Sequence, residues 1–586
     1  MKYSPFYTQN LEVMAAQKQK AAMWLAETRP DLADIDSRMG HNSYGMLDFR
    51  LKDGRFLFET IPPGPIYQGW VPQDAIPAES TFVIGCNLGY GLNHLLSGTP
   101  ASHTVYVLEP EPEMLAACLG QTDYRPFITS GKLVFLPPDR TLLQDTVRAC
   151  DVQFLFGRIH LRADLPSQQI GPAYAYWARQ CKEMLEHLSV EMGTLRRAQD
   201  TMVGNELGNF RRALADGTVN PLCDAGEGIK AVILGAGPSL EQSGPTLAAM
   251  QHSALVVTAL QTLTAAQRVG VRPHFCMSID FSDGMLSVYK QLDPEWAKDI
   301  PLIYSTKTDP RVVKQYPGPT IPLWTVGGLA TFIAGRDDLV LDAAGNVSVA
   351  LMRFLHWMGV RDIVLVGQDF AWRETSSTHA DGHHRKKASR WVDLQDRDGN
   401  PIRTSVQYLT SAREMEQDIA RLGLNVHNVY GGGYVISTAT DTTLEDALQN
   451  GLLASDGGAL ELWRLRMMKA RTGCEQPIFE ERAPSWRTSL RHANKRLEKL
   501  FKKPEKNYAE IRSLFNSVHM FLRQDPIYMP YLYNEIMDVA GLRDARTRYT
   551  PKDMGLFRET LKKVLEKIVA MDHALGARSL EEHRAA

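Results

Sequence analysis

Residues 231–240 read Ala-Val-Ile-Leu-Gly-Ala-Gly-Pro-Ser-Leu. The apolar run predicts a buried strand. Gly235, Gly237 and Pro238 then force a tight turn, and Ser239-Leu240 opens a helix with proline at a tolerated start position. Such a joint commits the chain to a βα unit. The N–H groups of Gly235, Ala236, Gly237 and Ser239, with the helix N-terminus behind them, converge on one point and form an expected anion site. The Lys-Ser/Thr pair of a P-loop is missing and the spacing departs from GxGxxG, so an ATPase or dinucleotide reading is disfavoured. A plain strand–helix joint is the alternative.

The pattern repeats after this point. Strand-like runs at 255–258, 274–280, 302–305, 322–326, 363–367 and 426–429 alternate with helical stretches at 261–269, 347–358 and 411–422. That alternation predicts a parallel, doubly wound sheet. Upstream, Leu11–Ala26 has helical spacing, and 45–60 alternates around Asp53-Gly54 as a hairpin would. Residues 81–109 form a βαβ pattern around Gly85-Cys-Asn-Leu-Gly-Tyr-Gly91, with Glu109 ending the second strand. Residues 171–215 read as one helix bridging domains. Beyond 450 the strands stop, and 485–525 and 551–584 are rich in Leu, Lys, Arg and Glu. The expected fold class is α/β and multidomain: a smaller Rossmann-like N-terminal α/β domain (1–190), a central doubly wound Rossmann-like sheet (195–450) and a helical C-terminal domain (455–586).

The whole-chain numbers exclude several functions. A length of 586 residues is too great for one core. A formal charge of −2 gives no global pull towards nucleic acid or anionic membranes. Seven scattered cysteines without a CxxC pair read as reduced thiols. The first ten residues lack the apolar core of a signal peptide, and no run of about 20 apolar residues suggests a membrane span. The expectation is a cytoplasmic protein.

Candidate ligand-binding residues gather at predicted strand ends, where open α/β sheets bind ligands. Gln368 and Asp369 end the 363–367 strand, Asp280 ends an earlier one, and each acid serves equally well as a helix cap. Gln261 and Thr262 follow the second strand, and Lys307 lies at another strand end. Gly345, Asn346 and Ser348 begin the helix before 363–367, where Asn346 also has the chemistry of a cap. Thr378-His-Ala-Asp-Gly-His-His384 contains the chain's histidine cluster, and His379, His383 and His384 are candidate bases beside Asp369. Neither HxxxH spacing nor neighbouring cysteines mark a metal site, so a divalent metal is conceivable but not indicated. Asp396-Arg-Asp398 is a DxD tripeptide, yet Gly399-Asn400 after it reads as a hairpin turn.

These motifs occur in an order that resembles the motility-associated factor (Maf) flagellin glycosyltransferases. The order is GAGPSL, then Val-Arg-Pro-His before Ser-Ile-Asp280, Gly345-Asn-Val-Ser, Val-Gly-Gln-Asp-Phe370, Thr-His-Ala-Asp-Gly382 and Gly431-Gly-Gly-Tyr-Val-Ile436. The resemblance covers about 195–450, and the core is also similar to bacterial sialyltransferases. It implies transfer of a nonulosonic acid, pseudaminic or legionaminic, from a CMP-activated donor to Ser or Thr of flagellin. Transfer would be inverting, cytoplasmic and needed for flagellar assembly and motility. No cofactor beyond that donor is implied. Three alternatives belong to other classes: a pyrophosphokinase acting on a pterin alcohol, a methyltransferase using the Gly85–Glu109 unit, and a non-catalytic flagellin-binding protein.

Overall fold

The structure, a computed structural model, describes residues 5–74, 76–250, 252–327, 339–343, 345–373, 391–473 and 478–578. The chain forms two compact units. The first comprises Met1–Arg197, Leu490–Leu522 and Asn534–Lys562, and the second Ala198–Ser489, Arg523–Tyr533 and Lys563–Ala586. The helical tail is thus divided between the two. Among the described residues no helix is long and apolar enough to cross a membrane.

The first unit is built on a four-stranded parallel sheet. Its strands are β1 (Glu79–Ile84), β2 (Thr104–Leu108), β3 (Leu133–Leu136) and β4 (Arg158–Ala163), in the order β3-β2-β1-β4. Every residue of β1 is buried, as a central parallel strand requires. The N-terminal helical stretch divides into Tyr7–Ala16 and Lys20–Thr28, because Lys18 adopts φ 57° between them. The antiparallel pair in this region is Met39–His41 with Leu47–Phe49, turning at Gly45. The expected Asp53-Gly54 turn exists, closed by a single bridge between Arg50 and Phe56. From the tail, Phe515 and Phe557 pack at 5.0 Å in this unit.

The second unit carries a nine-stranded sheet. Its strands are β5 (Lys230–Leu234), β6 (Leu255–Ala259), β7 (Phe275–Ser278), β8 (Leu302–Ser305), β9 (Thr320–Thr325), β10 (Val340–Leu341), β11 (Asp362–Val366), β12 (Asn425–Val429) and β13 (Thr440–Thr442). They lie in the order β10-β9-β8-β7-β6-β5-β11-β12-β13, all parallel. The chain runs outward from β5 to β10, then restarts on β5's other side with β11. That reversal puts the topological switch point between β5 and β11, with Leu234 paired to Val366 at its carboxyl end. The short edge strands β10 and β13 carry too few residues for a sequence pattern.

Alternation along β5 builds two cores. Ala231 and Ile233 join one cluster with Phe354, Met415, Ile419 and Trp463. Val232 and Leu234 face the other, with Leu240, Leu247, Ala265 and Leu444. Helices therefore cover both faces, as a doubly wound sheet demands. They include α2 (Ser239–Met250), α3 (Val347–Trp357) and α4 (Val406–Leu422). Before them, α1 (Pro172–Asp216) runs 45 residues; its first part belongs to the first unit, its last turns to the second. Phe354 on α3 is fully buried and meets Phe275 edge-on at 6.0 Å. Truncating it leaves a cavity under the middle of the sheet. Phe354→Ala is expected to cost about 3–5 kcal/mol, read as a lower urea midpoint; an unchanged midpoint would contradict this packing.

Candidate functional site

The GAGPS turn and the Gly367-Gln368-Asp369 segment leave adjacent strands at the switch point and bond to each other. Gly235 N–H donates to Val366 O at 2.7 Å, and Gly237 N–H to Gly367 O at 2.8 Å. Ser239 N–H donates to Asp369 Oδ2 at 3.0 Å, and its hydroxyl to Asp369 Oδ1 at 2.7 Å. The anion expected at the α2 N-terminus is therefore supplied by the chain itself. Burial pushes the Asp369 carboxyl up from its ordinary range, while both bonds from Ser239 pull it back. Each of its oxygens takes a donor, so Asp369 acts here as the cap of α2.

Glycines allow this closeness. A Cβ on Gly237 would collide with the Asp369 carboxylate, and one on Gly431 with the Ser239 side chain. Gly433 lies against the Asp369 backbone, whose carbonyl accepts Tyr434 N–H at 2.8 Å. The function of 431–434 as the third wall was not readable from sequence; its one signal is three consecutive glycines beyond β12. Gln368 stands apart. Its side chain is 5% exposed, and Nε2 has no hydrogen-bond partner among the described residues. A buried amide donor without a partner beside a glycine-lined crevice is an energetic cost that a ligand acceptor would offset.

The other candidates lie along the same carboxyl edge. Gln261 and Thr262 occupy a tight turn, Leu260–Thr262, directly after β6, with Thr262 buried and Gln261 half-buried. Asp280, after β7, accepts Ser282 N–H at 2.9 Å. Lys307, after β8, donates Nζ to Val326 O at 2.6 Å. Asn346 Oδ1 accepts Ser348 N–H at 2.8 Å and so caps α3; Gly345 before it is exposed. Since α3 runs antiparallel to the strands, that cap faces the carboxyl edge. His379, His383 and His384 lie outside the described residues. Asp396 belongs to a hairpin turn: burial raises its pKa, but Arg373 at 2.8 Å and the turn's donors outweigh this and hold it near 2. Among the described residues no group of three or more His, Cys, Asp or Glu is placed to hold a metal ion. The described cysteines are all free, Cys223 alone being exposed.

The Gly85–Gly91 loop of the first unit is filled from within. A Cβ on Gly85 would press on Ser167 and Tyr174, and one on Gly89 on the Tyr124 hydroxyl. Glu109, fully buried, accepts Cys86 N–H at 2.8 Å, Tyr174 OH at 2.5 Å and Glu111 N–H at 3.1 Å. The acid that would bind ribose in a cofactor site is occupied by protein groups.

Two outcomes are expected. Burial raises the Glu109 pKa from 4.5 to about 7. The unfolded chain therefore ionises first as pH rises, and stability present below 4.5 is lost as pH climbs through about 7, on the order of 3 kcal/mol. The urea midpoint should fall between about pH 5 and about pH 8 in the wild type and run flatter in Glu109→Gln; parallel curves would refute the role. Asp369→Asn offers one acceptor where Ser239 presents two donors. It should lower stability by about 1–3 kcal/mol, and an unchanged melting temperature would show that the cap is dispensable.

A family model described as 6-hydroxymethylpterin diphosphokinase MptE-like matches residues 205–375. None of the curated proteins compared matches this chain. The structure is similar to that of the Maf glycosyltransferase from Magnetospirillum magneticum AMB-1, with a TM-score of 0.58 and 15% identity, over 97% of this chain and 96% of that one. The chain shares that fold along nearly its whole length, and its β5–β11 region carries the MptE-like match.

Proposed function

We propose that this chain is a protein O-glycosyltransferase. It transfers a nonulosonic acid of the pseudaminic or legionaminic type from its CMP-activated donor to Ser or Thr of flagellin, in the cytoplasm, and serves flagellar assembly and motility. The observation that carries the reading is the Gln368 amide Nε2, buried and without a partner among the described residues at the glycine-lined switch point. The near full-length likeness in fold to a glycosyltransferase supports it.

In this reading the nucleotide meets the Gly235–Ser239 edge, with Gln368 donating to it. Gln261, Thr262, Asp280, Gly345, Asn346 and Ser348 line the same carboxyl edge as candidate contacts to donor or acceptor. Lys307 offers its ammonium to the sugar carboxylate. The acceptor hydroxyl attacks the anomeric carbon as the bond to the CMP phosphate breaks, so one displacement inverts the centre. The transition state is oxocarbenium-like, by analogy with glycoside chemistry. A base takes the hydroxyl proton, worth about 10²–10⁴-fold. With Asp369 committed to Ser239, that base is proposed from His379 or His383. No metal is given a role.

The MptE-like match favours a second reading, diphosphoryl transfer from ATP to a hydroxymethylpterin. Co-expression with flagellin in a host making the CMP-sugar separates them. Flagellin should gain mass in multiples of one nonulosonic acid, and Gln368→Ala should reduce the gain about tenfold, one hydrogen bond's worth. Unmodified flagellin with both substrates present would overturn the proposal, and diphosphopterin formed from ATP would establish the second reading.

A further inference from the structure

The last turns of α1 lie over the carboxyl ends of β7 and β8. Asn205 Nδ2 donates to Phe281 O and to Lys307 O, both at 2.9 Å. One turn later Asn209 Nδ2 donates to Thr306 O at 2.9 Å and Thr308 O at 2.6 Å. Between them Glu206, fully buried, accepts the Thr306 hydroxyl at 2.7 Å. The Thr308 hydroxyl reaches back to Ser278 O at 3.2 Å, at the end of β7. Carbonyls just past a strand end have left the sheet ladder and need other donors. Here one helical turn supplies them for two loops at once, and those loops carry Asp280 and Lys307.

Packing alone does not require this arrangement. Val203 and Phe210, both fully buried on the same helix, already provide apolar anchorage. A buried carboxylate is a costly way to add more, since an apolar residue of similar volume does as well or better. The Glu206 carboxylate instead engages the Thr306 hydroxyl, on the loop that carries Lys307. Burial lowers the pKa of Lys307, and carboxylates of Glu206 and Asp342 oppose that effect. Lys307 Nζ donates to the Val326 carbonyl.

We propose that Asn205, Glu206 and Asn209 are positioning residues that hold the loops after β7 and β8, with Asp280 and Lys307 on them, at one height over the crevice. Only the use of Lys307, to meet an anionic donor, rests on the glycosyltransferase reading. The clamp stands on the hydrogen-bond geometry.

Two full-length variants test this. In Asn205→Ala, deuterium uptake by peptides covering 279–283 and 305–309 should rise about threefold or more, the loss of one hydrogen bond per loop, with β11 unchanged. In Glu206→Gln the amide oxygen still accepts from Thr306, so uptake should stay near wild type. Uptake that rises equally in β11, or not at all, would overturn the clamp. This readout does not depend on catalysis, so unmodified flagellin would defeat the glycosyltransferase reading and leave this inference to its own data. Where transfer is measurable, Asn205→Ala should raise the KM for donor with little change in kcat, and an unchanged KM would count against the positioning role.

Discussion

Two hydrogen bonds from Ser239 to Asp369 set the shape of the crevice in the second unit. They tie the loop after β5 to the loop after β11, neighbours in the sheet but 130 residues apart in the chain. The tie places a carboxylate at the positive end of α2, so the helix terminus is neutralised before any ligand arrives. It also explains the glycines. Gly237, Gly431 and Gly433 each lie where a Cβ would strike Asp369 or Ser239. A ligand approaching this edge meets backbone and the Gln368 amide, not a bare helix N-terminus. The specificity of the crevice therefore depends on what the tie holds in place.

The first unit shows the opposite use of similar sequence logic. It too has a strand, a glycine-rich turn, a helix and an acid ending the next strand. There the space over the glycines is taken by Tyr124, Ser167 and Tyr174, and Glu109 takes four donors from within the unit. Closing a polar cleft with aromatic side chains converts a ligand site into a core, at the cost of a buried carboxyl whose pKa rises. The two turns differ in the polar side chain that follows their neighbouring strand. Glu109 is fully engaged, whereas Gln368 Nε2 is not.

The long strands β5 to β9, β11 and β12 were legible because each is an apolar run bounded by turn residues, and the period of the intervening helices is visible over many residues. The turn at 235–239 and the acid at 369 were each visible too. Their pairing was not, because a contact across 130 residues leaves no periodic trace. For the same reason the sequence did not show that Asp369 caps the helix opening at Ser239. Short elements were equally hidden. Two residues of β10 or three of β13 bury too little to pattern a sequence. Asn205, Glu206 and Asn209 are spaced as one helix face, but in a 45-residue helix a polar face reads as solvated surface. The allocation of the tail helices between two units is likewise set by packing partners distant in sequence.

Charge is distributed along the carboxyl edge by one rule. Asp369 is balanced by Ser239 and the α2 terminus, and the Lys307 ammonium donates to the Val326 carbonyl. Asp280 turns its carboxylate to a backbone N–H of its own loop. Buried polar atoms left without partners there among the described residues include neutral ones: the Gln368 amide Nε2, the Asn209 amide Oδ1 and the hydroxyls of Ser278 and Ser282. Leaving a neutral donor unpaired costs far less than leaving a charge unpaired in the same low-dielectric setting. An empty crevice can therefore keep such groups ready without collapsing onto them. In the proposed reading, neutral donors along this edge meet the hydroxyl and carbonyl oxygens of the nucleotide sugar, and the Lys307 ammonium meets its carboxylate.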